Sequence, residues 1–335
     1  MNNIGIDLHR ADLVASVEDE RGAAVGKSKR MACRDVAEIE KFFRRHIPFR
    51  AVIEASSSYR WLYDLLSPMG EVVLAHPLKL RAIVTARAKT DKLDSRLLAQ
   101  LLRADLVPQA YVPPERYQEL RDICRGRARL VRNMVAARNE VYAFIARANL
   151  HCPHKDMFTR GGRQWLESQK FGVGGEMAVG ELLRRLEYYQ AEVTRVDLGL
   201  GRIVKDYPEA EVLLGLYGVG VFTALLVIGE IGDPERFIRG EQVGAYAGLT
   251  ARVHQSGGHE YSGHISKQGS PWLRWVCVQA AMKLVRRDER LKEFYGRVRR
   301  RSGAKIARVA TARKFVEICW VRLRQWHRQH TRAIA

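Results

Sequence analysis

Four acidic residues stand where phosphoryl-transfer chemistry would need them. Asp7 closes an apolar run, Ile4-Gly5-Ile6, and Glu54 closes another, Ala51-Val52-Ile53. A carboxylate at the end of a buried strand is costly, and two such strands side by side would bring both acids to one sheet edge. Two anions 4 Å apart repel by about 4 kcal/mol at an effective dielectric near 20, and a divalent cation is the simplest compensation. Asp91 and Asp94 lie in Lys89-Thr90-Asp91-Lys92-Leu93-Asp94, at the start of a helix expected to run to Arg103. Their spacing puts both on one helical face, although either would serve equally well as a helix N-cap. Four hard oxygen ligands suit Mg²⁺, or Mn²⁺ in its place. Two such ions can clamp the attacking and leaving oxygens of an in-line displacement.

A second chemistry-bearing stretch lies far along the chain, in His254-Gln255-Ser256-Gly257-Gly258 and Gly263-His264-Ile265-Ser266-Lys267-Gln268-Gly269, followed by Arg274. Glycines beside Ser256 would permit a tight exposed turn that presents a hydroxyl. Ser262 and Ser266 are rivals for the role. Lys267 and Arg274 offer cations of the kind that stabilise a phosphorane-like transition state. A flexible surface loop accounts for the same glycines.

Upstream, Leu216-Tyr217-Gly218-Val219-Gly220 resembles the turn of a helix-hairpin-helix element, where Gly218 and Gly220 would let backbone N–H groups approach a phosphate. A tight turn between two core helices explains the pair as well. His151-Cys152-Pro153-His154 has zinc-ligand residue types but no second half. The five cysteines form no CxxC pair and are odd in number, which argues against a disulfide framework or a zinc ribbon.

The elements that must hold these residues follow from periodicity. Residues 3–8, Leu13–Glu18, Ala24–Met31, Arg50–Ala55 and Glu71–Ala75 read as strands, the second and third joined around an Asp19–Gly22 turn. Asp35–His46 reads as a helix capped by Asp35, and Ser57–Met69 as another. This order predicts an α/β domain with a mixed sheet over residues 1–112. Residues 113–206 follow as two long helices, 115–150 and 178–206, around an irregular Gly-rich stretch, Arg160–Gly175. They would form a hairpin suited to dimerisation as a coiled coil, or an ordinary bundle. Residues 207–335 read as a third, mostly helical unit.

Charge points to a polyanion partner. The net charge is +20, and it is uneven: residues 201–335 carry 24 Lys/Arg against 12 Asp/Glu, whereas residues 1–110 carry 18 against 14. Neutralised phosphates release condensed counterions, which makes nucleic acid the natural ligand of such a segment. Arg299, Arg300 and Arg301, with Trp320 and Trp326 nearby, would hold backbone and stack bases. No apolar run reaches the length of a membrane span, and the first residues lack a secretory signal, so a cytoplasmic, nucleoid-associated location is expected with no membrane partner.

Taken in order, Gly5-Ile6-Asp7, Glu54, the KTDxxD segment at 89–94, GVGxxTA at 218–224, and GLT…QSGG…G-x-ISKxG…LR at 248–274 resemble the insertion-sequence-110 family of DEDD transposases, relatives of the Piv invertases. The acid order also resembles the ribonuclease-H-like fold of Holliday-junction resolvases (the RuvC type). The resemblance implies a RuvC-like domain in which Asp7, Glu54, Asp91 and Asp94 ligate Mg²⁺, and a C-terminal transposase domain in which Ser256 attacks the scissile phosphate to form a phosphoserine intermediate. It further implies donor and target DNA as substrates, a non-coding bridge RNA as guide, and homodimers pairing into tetramers with acids and serine meeting across subunits. Lys89, Lys267 and Arg274 would then contact nucleic acid. The segment Thr250-Ala251-Arg252 departs from the family, whose members often carry Leu-Val/Thr-Pro there. Two other readings are a junction-resolving nuclease that uses the acids and water, and a non-catalytic nucleic-acid-binding protein.

Overall fold

The computed structural model describes residues 1–84, 91–256 and 259–331; the side chains of residues 84, 91–94, 253–263 and 331 lie outside that description, as does all of Lys89. The chain divides into two compact units, Met1–Val112 and Pro113–Ala335.

The first unit is built on β1 (Asn2–Leu8), β2 (Asp12–Glu18), β3 (Lys29–Ala32), β4 (Phe49–Glu54) and β5 (Glu71–Ala75), in the order β3-β2-β1-β4-β5. β1 runs antiparallel to β2 and parallel to β4, so the sheet is mixed as expected. One face carries Ile4, Ile6, Leu13, Ala15, Ala51 and Ile53 into a core with Ile39, Phe43, Leu62 and Leu66. Those four belong to α1 (Val36–Arg44) and α2 (Tyr59–Leu66). Asp35 caps α1 as its position predicts, its carboxylate accepting from the Glu38 N–H at 3.0 Å. The other face carries Val52, Val73 and Ala75 against Leu80, Leu98, Leu101 and Leu102. These leucines come from α3 (Pro77–Val84), which the sequence reading missed, and α4 (Asp91–Arg103).

One strand is much shorter than expected. β3 is four residues rather than eight because Gly26 turns the chain with φ +78°, leaving only an isolated bridge between Glu18 and Ala24. Pairing at the far edge is completed by the segment after α4, where the Ala110 N–H donates to the Leu74 carbonyl at 2.7 Å.

The second unit is helical apart from one hairpin. The long antiparallel pair α5 (Glu115–Arg147) and α7 (Gly172–Ile203) is tied by a bidentate Arg127–Asp197 pair at 2.9 and 2.8 Å. Between them the expected irregular stretch is instead α6 (Arg160–Ser168), capped by Thr159. Glycine lowers helix propensity, but Gly162 is needed here: a Cβ would meet the Met157 backbone at 2.6 Å. The far end of this pair has its own core, including Val141, Ile145, Leu166, Leu182 and Leu186.

A larger core joins the near end of α5 and α7 to α8 (Glu211–Leu214), α9 (Val221–Ile231), α10 (Gly240–Tyr246), α11 (Pro271–Leu284) and α12 (Glu289–Thr331). α9 is buried along most of its length, and its fully buried Glu230 receives both nitrogens of a bidentate Arg125 at 2.6 and 2.9 Å. α12 is broken at Gly303, where φ is +83°. Among the described residues no helix is long and apolar enough to cross a membrane.

Candidate active site

The position of the acids follows from strand register. The parallel pairing of β1 and β4 runs to Ile6↔Ile53, and the next residues on the two strands are Asp7 and Glu54. Side chains alternate along a strand, so Asp7 shares the face of Gly5, and Glu54 that of Val52. That is the face covered by α4. Both acids therefore sit at the C-terminal ends of neighbouring strands, beneath the same helix.

α4 runs back along β1. Ser95 lies over Gly5, where a Cβ would come within 1.9 Å of the Ser95 carbonyl oxygen and 2.4 Å of the Ala99 nitrogen. At the other end Arg103 pairs with Glu18 at 3.5 Å, and Glu18 lies opposite Asn3. The first turn of α4 thus extends toward the strand ends that bear Asp7 and Glu54. From Ser95 back to Asp91 is about 6 Å of helix rise; from Gly5 on to Asp7 is about 6.6 Å of strand. The backbone of Asp91 consequently reaches the level of the two strand acids, while that of Asp94, one residue before Ser95, lies about 5 Å short of it. Their side chains are not described.

Asp7 is held at 3.2 Å by His9 Nε2, and its side chain is 19% exposed. Glu54 is half-buried and makes no hydrogen bond or ion pair among the described residues. A half-buried carboxylate with no counter-charge among the described residues is compatible with a cation ligand. Among the described residues, which include Asp7 and Glu54 but not the side chains of Asp91 and Asp94, no three His, Cys, Asp or Glu side chains come together as a metal cluster. The donor set, all hard oxygens, fits a divalent cation.

Ser256 is not on an irregular loop. It ends β6 (Ala251–Ser256), which pairs antiparallel with β7 (His259–Ile265), Ser256 lying opposite His259. Gly257 and Gly258 lie outside the described residues. The base of the hairpin is fastened by the Ser266 N–H to the Thr250 carbonyl at 2.8 Å and the Ser270 N–H to the Tyr246 carbonyl at 3.1 Å. Gly269, at φ +112°, is required there, since a Cβ would overlap the Tyr246 oxygen at 2.0 Å.

Lys267 and Arg274 belong to this base. Lys267 takes a left-handed φ of +52° just past β7, and Arg274 Nη1 donates to the Ala247 carbonyl at 3.1 Å. Five strand steps from Ala251 to Ser256 span about 17 Å. That backbone length lies between the hairpin base, where Lys267 and Arg274 stand, and Ser256 at the end of β6.

Gly218 turns the chain at φ +82° with its α-carbon against Lys283, where a Cβ would lie 2.5 Å from that side chain. Gly220 is the N-cap of α9 and supplies no side-chain cap. Arg299, Arg300 and Arg301 are exposed on α12 just before its break. Trp320 corrects the reading that it stacks bases: it is 6% exposed, and its indole N–H donates to the Pro234 carbonyl at 2.8 Å. Trp326 stacks instead on His330, with ring centroids 4.1 Å apart.

Family comparison gives the class, an enzyme that acts on DNA. Residues 4–149 match the model of DEDD-type transposases, and residues 210–296 match the model described as "Transposase IS116/IS110/IS902 family". The chain belongs to the IS110/IS116/IS902 family of transposases. It is 29% identical to a "Probable family 20 transposase" of Pseudomonas aeruginosa, covering 96% of this chain and 97% of that one. Identity is 23% to the transposase for insertion sequence element IS1328 of Yersinia enterocolitica, over 95% of each chain. With the transposase for IS1111A of Coxiella burnetii it is 26%, over 81% of this chain and 77% of the relative.

Proposed function

We propose that this transposase cuts and rejoins DNA through Ser256, at an acid site made by Asp7, Glu54, Asp91 and Asp94 on a ribonuclease-H-like first unit. The observation that carries the reading is the level shared by Asp7, Glu54 and the N-terminus of α4, with Glu54 half-buried and without an ion pair among the described residues. The sheet order β3-β2-β1-β4-β5 supports the fold assignment. Bound Mg²⁺ or Mn²⁺ would offset the crowded carboxylates and polarise the scissile phosphate.

The serine oxygen forms a bond to phosphorus as the bond from phosphorus to the deoxyribose oxygen breaks, and the serine proton ends on the released hydroxyl. A second hydroxyl reverses the exchange and frees the serine. One phosphodiester is traded for another, so the step needs no external energy source. The acids and Ser256 lie in separate compact units. In this reading they meet between subunits of a dimer or of paired dimers, on donor and target DNA chosen by a bridge RNA.

Ser256→Ala tests the reading most directly. It should abolish rejoining and the covalent protein–DNA adduct while leaving the thermal melt unchanged; retained cutting would point to the water-using nuclease. Loss of metal-dependent cutting in the parent protein as well would leave a non-catalytic binder. Mixing Ser256→Ala with Asp7→Asn copies should restore activity if the site is shared between subunits. Ribonuclease treatment should remove target choice if an RNA guides it.

A further inference from the structure

The base of the serine hairpin carries three cations, Arg252, Lys267 and Arg274, that no acid among the described residues neutralises. Arg252 Nη2 donates to the Ser266 carbonyl at 3.2 Å, and Arg274 Nη1 to the Ala247 carbonyl. Lys267 stands between them in the chain, exposed and held in a left-handed conformation. Among the described residues none of the three makes an ion pair. Other arginines of the same unit are matched by acids: Arg313 meets Glu317 and Glu241, and Arg324 and Arg328 share Glu235.

Arg274 is the most telling of the three. It is half-buried, and burial lowers its pKa from the usual arginine value with no carboxylate opposing the shift. Its guanidinium is fixed by a backbone carbonyl rather than free to follow solvent, and the remaining nitrogens are available to an anion. A planar, partly desolvated guanidinium is suited to a phosphate oxygen pair.

We infer that Arg252, Lys267 and Arg274 form a phosphate clamp at the hairpin base that grips the DNA backbone at a fixed distance from the nucleophile. This rests on the reading that the hairpin carries Ser256 to DNA. The clamp holds DNA away from the reacting phosphorus: the 17 Å or so between base and Ser256 corresponds to about five base-pair steps at 3.4 Å each. It thereby sets which phosphate faces the serine, a register function distinct from charge stabilisation at the reacting atoms. Arg252 is the addition the sequence did not suggest, and it occupies the very segment that departs from the family pattern.

The test is the salt dependence of binding of the full-length protein to a DNA duplex of about 30 base pairs, a readout that involves no strand cutting. Each lost phosphate contact should lower the slope of log affinity against log salt by about one, so affinity falls about 3–4-fold less between 50 and 200 mM salt. Arg252→Gln, Lys267→Gln and Arg274→Gln should each show that change. Arg274→Lys should keep the parent slope, and Arg313→Gln, whose charge is already matched, should keep it too. Slopes equal to the parent in Arg252→Gln and Lys267→Gln, both exposed positions tolerant of substitution, would overturn the inference even if Arg274→Gln failed to fold. An equal drop in Arg313→Gln would overturn it as a non-specific charge effect. Ser256→Ala should leave the slope alone, so failure of the serine chemistry and failure of the clamp are read separately.

Discussion

Gly5 and Ser95 touch backbone to backbone: a Cβ added to Gly5 would lie 1.9 Å from the Ser95 carbonyl oxygen. That contact sets how deeply α4 rides on β1, and so where Asp91 and Asp94 stand relative to Asp7 and Glu54. Gly5→Ala must lift the helix or push the strand. Overpacking a tight interior contact costs roughly 1–3 kcal/mol, and this one involves main chain on the helix side. The expected result is a loss of about 3 kcal/mol in chemical denaturation together with a strong loss of strand joining. Unchanged joining at reduced stability would show that the helix height does not matter to the chemistry.

A chain of hydroxyls reinforces the same contact. Ser16 Oγ lies 2.8 Å from both Ser28 Oγ and the fully buried Ser95 Oγ. Ser16→Ala removes the member that bridges the other two, and should cost about 1–3 kcal/mol, the desolvation penalty of a buried hydroxyl that loses its partner. Ser28→Ala, nearer the surface, should cost about 0.5–1 kcal/mol. Denaturant midpoints decide between this order and the reverse.

Glu230 has no exposed side-chain surface, and Arg125 meets it with two nitrogens. Removing one partner of a buried pair leaves an uncompensated charge. Glu230→Gln should therefore destabilise the second unit by about 3 kcal/mol, while Glu230→Met combined with Arg125→Met should recover much of that. Calorimetry on the two variants and the parent would show whether the pair is worth more intact than replaced.

Acid should loosen the end of α12 first. Hydrogen bonding to Arg328, then Arg324, holds the Glu235 carboxyl down at about 2 against a usual 4.5. A depressed folded-state pKa gives stability that is complete above the unfolded value and is lost as pH falls through the folded one. The tie between α12 and the turn at Glu235 should weaken from about pH 4.5 downward and be gone near pH 2. In Glu235→Gln that pH dependence should vanish, as amide exchange along residues 320–331 would report.

Much of the first unit was readable because its signals are local. Asp35 before an apolar-periodic run predicts its own cap, and Glu71–Ala75 is bounded by residues that leave no alternative. The acids at Asp7 and Glu54 were legible for the same reason, since a charge ending an apolar strand stands out. The Gly5–Ser95 contact was not, because it joins residues 90 apart and shows in the sequence only as one more glycine. α6 was hidden by Gly161 and Gly162, whose helix-breaking tendency yields to tertiary packing. The hairpin around Ser256 was hidden by the polar sequence of its strands, which carry no sustained apolar alternation. Trp320 misled through its basic neighbours: the helix turns that indole inward, and Arg322 and Arg324 beside it donate to the Val212 carbonyl and to Glu235.

The far end of the α5–α7 pair keeps a core of its own, apart from the one beneath α9 and α11. Segments stabilised separately can melt separately, so heating should give a two-stage unfolding in which the outer arm opens before its root. The same independence makes the arm replaceable: whole helical turns can be added or removed beyond Met134 in both helices together without disturbing Arg127 and Asp197 at the root. Arm length can thus change while the rest of the unit stays fixed.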